Sequence, residues 1–263
     1  MIATRLRARA LGAGLAARLG PAPCLAGPPR SVFSRAINFE AADGGLVTLH
    51  GPGPLAAPFA IALSPWGDDL ADADVTLDLD GARRVDLTIR PARHGQVARA
   101  RLGAALAEAR PARDPAAGLS SPRADGARAA LARAIRRRDA DDFLDAARAL
   151  VGLGEGLTPA GDDYLVGTLA VLHRLASGWP ASGVTGPALD AYAGHATTVV
   201  GATFLRHAIA GQFSEPLRDL AMAQSPAVAR AAVASLARMG ATSGADTLAG
   251  MREALDALGG VRG

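Results

Sequence analysis

The sequence predicts an α+β fold, with a small antiparallel β-sheet or partly closed barrel followed by an all-helical C-terminal region. Three observations carry this. From Ser31 to about Arg90, short apolar runs recur between turn residues, the spacing of consecutive strands. After Pro91 the apolar residues fall at helical intervals to the end of the chain. The 263 residues are 49% hydrophobic but only 4% aromatic, so the core has to be built mostly from Ala, Leu and Val. This divides the chain into an N-terminal helix and Pro/Gly loop (1–30), a β-rich region (31–92) and a helical domain (93–263).

In order, Ile2–Leu19 reads as a helix closed by Gly20–Pro21, and Pro21–Pro29 as a loop. Strands are expected at Val32–Phe39, Leu46–His50, Phe59–Leu63, Val75–Leu79 and Val85–Ile89. Turns at Asp43-Gly44-Gly45, Gly51-Pro52-Gly53-Pro54, Trp66-Gly67-Asp68-Asp69 and Asp80-Gly81 divide them. Val75, Leu77 and Leu79 alternate with Thr76 and Asp78, as a half-buried strand requires. Helices follow at Gln96–Ala109, Ala124–Arg138, Asp142–Val151 and Asp162–Ala176, with a Pro-rich connection at Arg110–Arg123. Asp162–Ala176 is apolar on most faces and reads as a buried helix. Gly186–Val200, Thr203–Ala210, Glu215–Ala223, Pro226–Met239 and Gly244–Leu258 complete the helical half.

Charge and composition exclude several function classes. All 28 basic residues are arginine, and the net charge is +3. Five of them, Arg5, Arg7, Arg9, Arg18 and Arg30, lie in an acid-free start; the other 23 face 25 acids. No basic stripe is interleaved with aromatics, so nucleic acid is not an expected partner. The arginine-rich start resembles an amphipathic transit peptide in composition, and the preferred reading is a surface helix. No apolar run reaches the roughly 18 residues of a membrane span. The one cysteine, Cys24, leaves no intramolecular disulfide or Cys-based zinc site, and a cytoplasmic protein is expected.

The densest chemistry lies in Gly152–Gly167, GLGEGLTPAGDDYLVG. Gly152, Gly154, Gly156 and Gly161 let the backbone turn tightly and approach a ligand. Thr158 is suited to cap a helix and Pro159 to its first turn. A helix start there would present free N–H groups and the positive end of the dipole. Glu155, Asp162 and Asp163 crowd the same place, and one of the two aspartates is expected simply to cap the helix.

A second copy follows. Gly161-Asp162-Asp163-Tyr164-Leu165-Val166-Gly167 and Gly244-Ala245-Asp246-Thr247-Leu248-Ala249-Gly250 both read G-x-D-x-L-x-G, with Thr158 or Thr242 ahead. In each copy the second glycine stands one turn after the aspartate on the same face. A glycine there admits a close neighbour. The two helix starts are therefore expected to meet and build one pocket, against the alternative of coincidence in an Ala/Gly-rich chain. N–H groups suit phosphate or carboxylate, while aspartates suit an amide NH₂ or a cation. No cofactor is required by this reading. Mg²⁺ held by Glu155, Asp162, Asp163 and Asp246, as in a Mg²⁺-dependent helical hydrolase, is the alternative, and a non-catalytic metabolite-binding or assembly subunit is another.

Among the histidines, His195 ahead of Thr197–Thr198 is the one worth testing; His173 and His207 read as packed or surface residues. No nucleophile elbow, Walker A pattern or dinucleotide fingerprint occurs, since the Gly-rich stretch follows a helix and not a strand.

Gly156-Leu157-Thr158-Pro159-Ala160-Gly161-Asp162-Asp163 resembles the signature of the bacterial AllH-like family, whose named member is a subunit of oxamate carbamoyltransferase. Thr242-Ser243-Gly244-Ala245-Asp246 and Phe33-Ser34-Arg35-Ala36-Ile37-Asn38 resemble it too. Ala160 departs from the family, which often has serine there. The resemblance implies carbamoyl transfer between oxalurate plus phosphate and oxamate plus carbamoyl phosphate, in purine or allantoin catabolism, with partner protein subunits. It implies catalytic roles for Asp163, Asp246 and Asp162. It implies substrate binding by Gly154, Gly156, Thr158, Gly161, Thr242, Ser243, Gly244, Arg35 and Asn38.

Overall fold

The computed structural model describes residues 4–20, 23–25, 28–33, 35–41, 43–66, 75–108, 119–177, 179–180 and 183–259. The expected turn at Gly67-Asp68-Asp69, most of the Arg110–Arg123 connection, and Ser34 lie outside the described residues. Two compact units divide the chain, Met1–Leu87 and Thr88–Gly263.

The first unit is a curled half-barrel sheet of eight strands among the described residues. They are β1 (Thr4–Gly12), β2 (Cys24–Leu25), β3 (Ser31–Phe33), β4 (Ala36–Glu40), β5 (Leu46–His50), β6 (Ala60–Leu63), β7 (Val75–Asp78) and β8 (Arg83–Val85). Their order is β2-β7-β1-β6-β5-β4-β3, with β8 also on β1. One short helix, α1 (Ala13–Leu19), follows β1 and buries Leu15 and Ala16. The core is Leu11, Ile37, Phe39, Val47, Leu49, Ile61, Leu63, Val75 and Leu77.

Four expectations are corrected here. The start of the chain is a strand, not the helix expected over Ile2–Leu19. Arg5, Arg7 and Arg9 are exposed, while Ala8 and Ala10 between and beyond them are buried, a period of two. Alanine and leucine favour helix in isolation, but pairing with β6, β7 and β8 overrides that weak preference. The sheet is also mixed and not purely antiparallel: β1 runs parallel to β7 and β8, and β5 parallel to β6. The run Val32–Phe39 is a hairpin of two strands, with Phe33 paired to Ala36. Beyond Val85 the expected strand stops, and Thr88 pairs with Gln212 as an isolated bridge outside the strands.

The second unit is helical among the described residues. It holds α2 (Gly95–Glu108), α3 (Pro122–Arg137), α4 (Ala140–Leu150), α5 (Ala160–Leu175), α6 (Thr185–Ala196), α7 (Val199–Ile209), α8 (Glu215–Ala221), α9 (Pro226–Leu236) and α10 (Ser243–Gly259). Local chemistry starts several of them. Ser121, Asp139, Ser214 and Ser225 accept first-turn N–H groups, with proline in the first turn behind each serine. The helix expected over Gly186–Val200 breaks because Thr198 caps α7, accepting the Gly201 N–H.

Helix α5 is the hub. Every residue from Ala160 to Leu172 is buried, as its all-round apolar character requires. Its main partner is α10, and the two backbones touch. A Cβ on Gly167 would lie 2.0 Å from the Thr247 carbonyl oxygen, and one on Gly250 would lie 1.9 Å from that of Tyr164. Each second glycine of the repeated motif therefore packs on the residue that follows the other motif's aspartate. The first glycines are matched too: Gly161 lies against the carbonyl of Leu150 at the end of α4, and Gly244 against that of Leu236 at the end of α9. The echo in the sequence is a reciprocal helix contact in space.

Candidate functional site

The starts of α5 and α10 lie side by side. Thr158 and Ser243 place their hydroxyl oxygens 3.0 Å apart. Thr158 is half-buried and does not cap α5; Pro159 occupies the cap position and offers no side-chain acceptor. Counting three residues back from each motif aspartate gives Ala160 and Ser243, so the hydroxyl missing at Ala160 is present in the second copy.

Asp163 and Asp246 sit beneath this pair. Asp163 is 7% exposed and Asp246 is fully buried. Burial pushes the Asp163 carboxyl up to about 7; the hydroxyls of Ser243 and Thr158 oppose this, and the charges of Asp246 and Asp162 add to it. Burial likewise raises Asp246 to about 6, with the Thr242 hydroxyl opposing. Among the described residues, Asp163 Oδ2 and both Asp246 oxygens are buried without a completed hydrogen bond, so Thr242 lies close to Asp246 without satisfying it. Buried carboxylate oxygens are costly to leave unmade, and such groups mark places where a donor is expected.

Asp162 does different work. Its Oδ1 accepts the Gly152 N–H at 2.8 Å and its Oδ2 accepts the Thr197 hydroxyl. It packs so tightly on α7 that a Cβ on Gly201 would lie 2.2 Å from Oδ2. Thr198 adds a second fastening by donating its hydroxyl to the Leu157 carbonyl. Thr197 and Thr198 thus pin the Gly-rich loop to the α6–α7 junction. The loop's shape depends on glycine at Gly152, where φ is +71° and an added Cβ would lie 2.2 Å from the Ala196 carbonyl oxygen.

The expectation of free N–H groups at the helix starts is corrected. Gly161 N–H goes to the Leu153 carbonyl at 2.8 Å, and those of Asp162 and Asp163 to Pro159. On α10, Gly244 N–H goes to Met239, and those of Ala245 and Asp246 to Thr242. The loops fold back and spend these donors. The N–H groups of Gly154 to Thr158 take no acceptor among the described residues. Gly154 and Gly156 are exposed there, as are Glu155 and Leu157.

The remaining expected residues belong to other elements. Arg35 and Asn38 belong to the β unit. Asn38 is buried and engaged, donating to the Ser31 hydroxyl and accepting from Thr48, while Arg35 is exposed at the β3–β4 turn. His195 is exposed, its Nδ1 3.0 Å from the Ala191 carbonyl oxygen and its ring edge-on to Tyr192. Among the described residues, no group of three or more His, Cys, Asp or Glu is arranged to hold a metal ion, the set Glu155, Asp162, Asp163 and Asp246 included.

One network escaped the sequence reading. Tyr164, buried beside Asp163, donates to Glu253 Oε2 at 2.8 Å, and Glu253 pairs with Arg128 of α3. The Arg128 guanidinium lies over the Tyr164 ring, 5.8 Å from its centroid. Burial raises the Tyr164 phenol, and the hydrogen bond to Glu253 raises Arg128. Glu253 follows Gly250 by three residues, on one helix face, which was the available signal.

No helix among the described residues is long and apolar enough to cross a membrane. No solved structure matches the chain. Residues 150–255 match the family described as oxamate carbamoyltransferase subunit AllH, a stretch that takes in both aspartate motifs, the Thr197–Thr198 junction and Glu253. The repeated motif, folded into one reciprocal contact, lies inside that stretch, and the match supports an AllH-like assignment for it.

Proposed function

We propose that this chain is a subunit of an oxamate carbamoyltransferase-type enzyme, or of a relative acting on a small amide- or phosphate-bearing metabolite, and that Asp163 and Asp246 receive the substrate's NH₂ group. The observation that carries this is the set of three buried carboxylate oxygens without hydrogen bonds. An amide NH₂ supplies two donors and no charge, which suits a pair of acids that cannot both ionise cheaply.

Asp163, the more accessible of the two, meets the substrate, and Asp246 stands behind it. In transfer from carbamoyl phosphate to oxamate, the oxamate nitrogen bonds to the carbamoyl carbon. The carbon–oxygen bond to phosphate breaks, and the nitrogen gives up a proton. A carboxylate raised to about 7 is suited to take that proton near neutral pH. The loop N–H groups of Gly154, Gly156 and Thr158 hold the anionic end, while Thr242 and Ser243 line the amide side. Gly161 and Gly244 let the helices approach, and Asp162 is a positioning residue. Most of the catalysis is then orientation and charge placement. The family match supports partner subunits.

The test is carbamoyl transfer by the chain purified with its partner subunits, followed as phosphate release from carbamoyl phosphate in the presence of oxamate. Wild type is expected to turn over and Asp163→Asn to lose about 100-fold or more, the scale of general-base catalysis. An unchanged rate in a folded Asp163→Asn protein would sink the catalytic assignment. The absence of transfer with all subunits present would sink the reaction.

A further inference from the structure

At the other end of α5 the helical unit has a pocket of a different character. It encloses about 540 Å³ between the start of α2, the end of α5 and the α8–α9 connection. Its rim carries Arg90, Arg93, His94, Arg101 and Arg174, and among the described residues no Asp or Glu lines it. Its floor is apolar, formed by Leu102, Leu220 and Met222 among others.

The arginines here differ from those around them. Arg128, Arg148, Arg206, Arg218 and Arg230 of the same unit each have an acidic partner. Among the described residues, Arg93, Arg101 and Arg174 have none. Two are instead held in place by neutral groups: Arg174 donates to the Arg90 carbonyl at 2.9 Å, and Arg101 donates to Gln224 Oε1 at 2.7 Å. Arg174 Nε is buried without a hydrogen-bond partner. The start of α2 at Gly95 adds the positive end of a 14-residue helix, with no acid in its first turn. Like charges gathered at one rim repel unless an anion sits among them. Guanidinium groups match phosphate oxygens in charge and geometry.

We infer that this pocket binds a small phosphate-bearing metabolite, its phosphate among Arg93, Arg101 and Arg174 and its carbon body on the apolar floor. The volume lies within the range of small-molecule sites. Asp163 and Arg174 are eleven residues apart on α5, about 16 Å along the axis, so this is a second site and does not depend on the one proposed above.

The test is calorimetric titration of the full chain with inorganic pyrophosphate. Wild type should bind it saturably. Arg93 and Arg101 are exposed, so R93A/R101A is expected to keep its thermal stability and lose about tenfold or more in affinity, the scale of a charge-assisted pair. T158A/S243A, altered at the acid site, should bind like wild type. No saturable binding would overturn the inference, as would an R93A/R101A protein that binds normally. Loss of binding in T158A/S243A alone would place the anion at the acid site instead and also overturn it.

Discussion

Thr158 and Ser243 stand 85 residues apart in the chain and bring their hydroxyl oxygens to 3.0 Å. That contact joins the starts of two helices whose aspartates face the same buried place. The helices can lie so close because neither carries a side chain at the crossing.

Gly167→Ala and Gly250→Ala test that crossing. Each new methyl would meet a carbonyl oxygen at about 2 Å, and backbone atoms cannot move aside as a side-chain tip can. Each variant is expected to lose stability at the upper end of about 1–3 kcal/mol. Gly126→Ala on α3 is the control. Nothing lies within 4 Å of its added Cβ, and it should gain up to about 1 kcal/mol. Chemical denaturation of the three variants separates the outcomes.

The raised carboxyl of Asp163 makes a pH prediction whose sign is opposite to that of an ordinary paired aspartate. Below about pH 4 the group is neutral in both folded and unfolded chains. As pH rises from 3.8 towards 7, the unfolded chain gives up its proton and the folded chain keeps it. The unfolded state then binds fewer protons, so stability falls with pH across that window and stays lowered above it. Asp163→Asn removes this cost. The variant should match wild type near pH 4 and be the more stable at pH 8, by about 4 kcal/mol at most. A gap that does not grow between those two pH values would contradict the burial of this group as an acid.

Asp162 is expected to act on stability. Asp162→Ala leaves the Gly152 N–H and the Thr197 hydroxyl without their acceptor, and because both donors are half-buried the cost is expected at the lower end of about 1–3 kcal/mol for each. Thr197→Val removes only one of the two bonds and should cost less. Hydrogen exchange at Gly152 reports the loss directly, and unchanged protection in Asp162→Ala would argue against the fastening role.

Tyr164, Glu253 and Arg128 should behave as one unit. Tyr164→Phe deletes a hydrogen bond to a charged group, worth about 1.5–3 kcal/mol, reduced here because Glu253 is 30% exposed. A double-mutant cycle of Tyr164→Phe with Glu253→Gln is expected to show coupling of about 0.5 kcal/mol or more. Strict additivity would mean that the network is geometric only.

Much of the helical unit was legible because its signals are local. Apolar residues at helical intervals mark helices such as α3, α8 and α9, and glycine one turn after aspartate marks a helix face that needs a close neighbour. The repeated G-x-D-x-L-x-G pattern therefore pointed to the meeting of α5 and α10, and ranked Asp163 with Asp246 ahead of Glu155. Parts of the β unit were legible in the same way, since turn residues around Leu46–His50 and alternation in Val75–Asp78 act over a few positions. The alternation of Arg5, Arg7 and Arg9 with Leu6 and Ala8 was equally local, but it was outweighed there by the helical preference of alanine and leucine.

Which groups are already spent is a matter of packing between distant segments. Whether an N–H at the start of α5 is free depends on Leu153 and Pro159 folding back towards it. Whether Asp162 is available depends on Thr197, 35 residues away. Parallel pairing of β1 with β7 and β8, and the tie from Tyr164 to Glu253, likewise rest on partners distant in the chain. Residue spacing and capping, which are short-range, set which residues could do the chemistry and where helices must touch. Burial and long-range hydrogen bonding determined which of those residues remain to do it, because both are properties of the packed molecule.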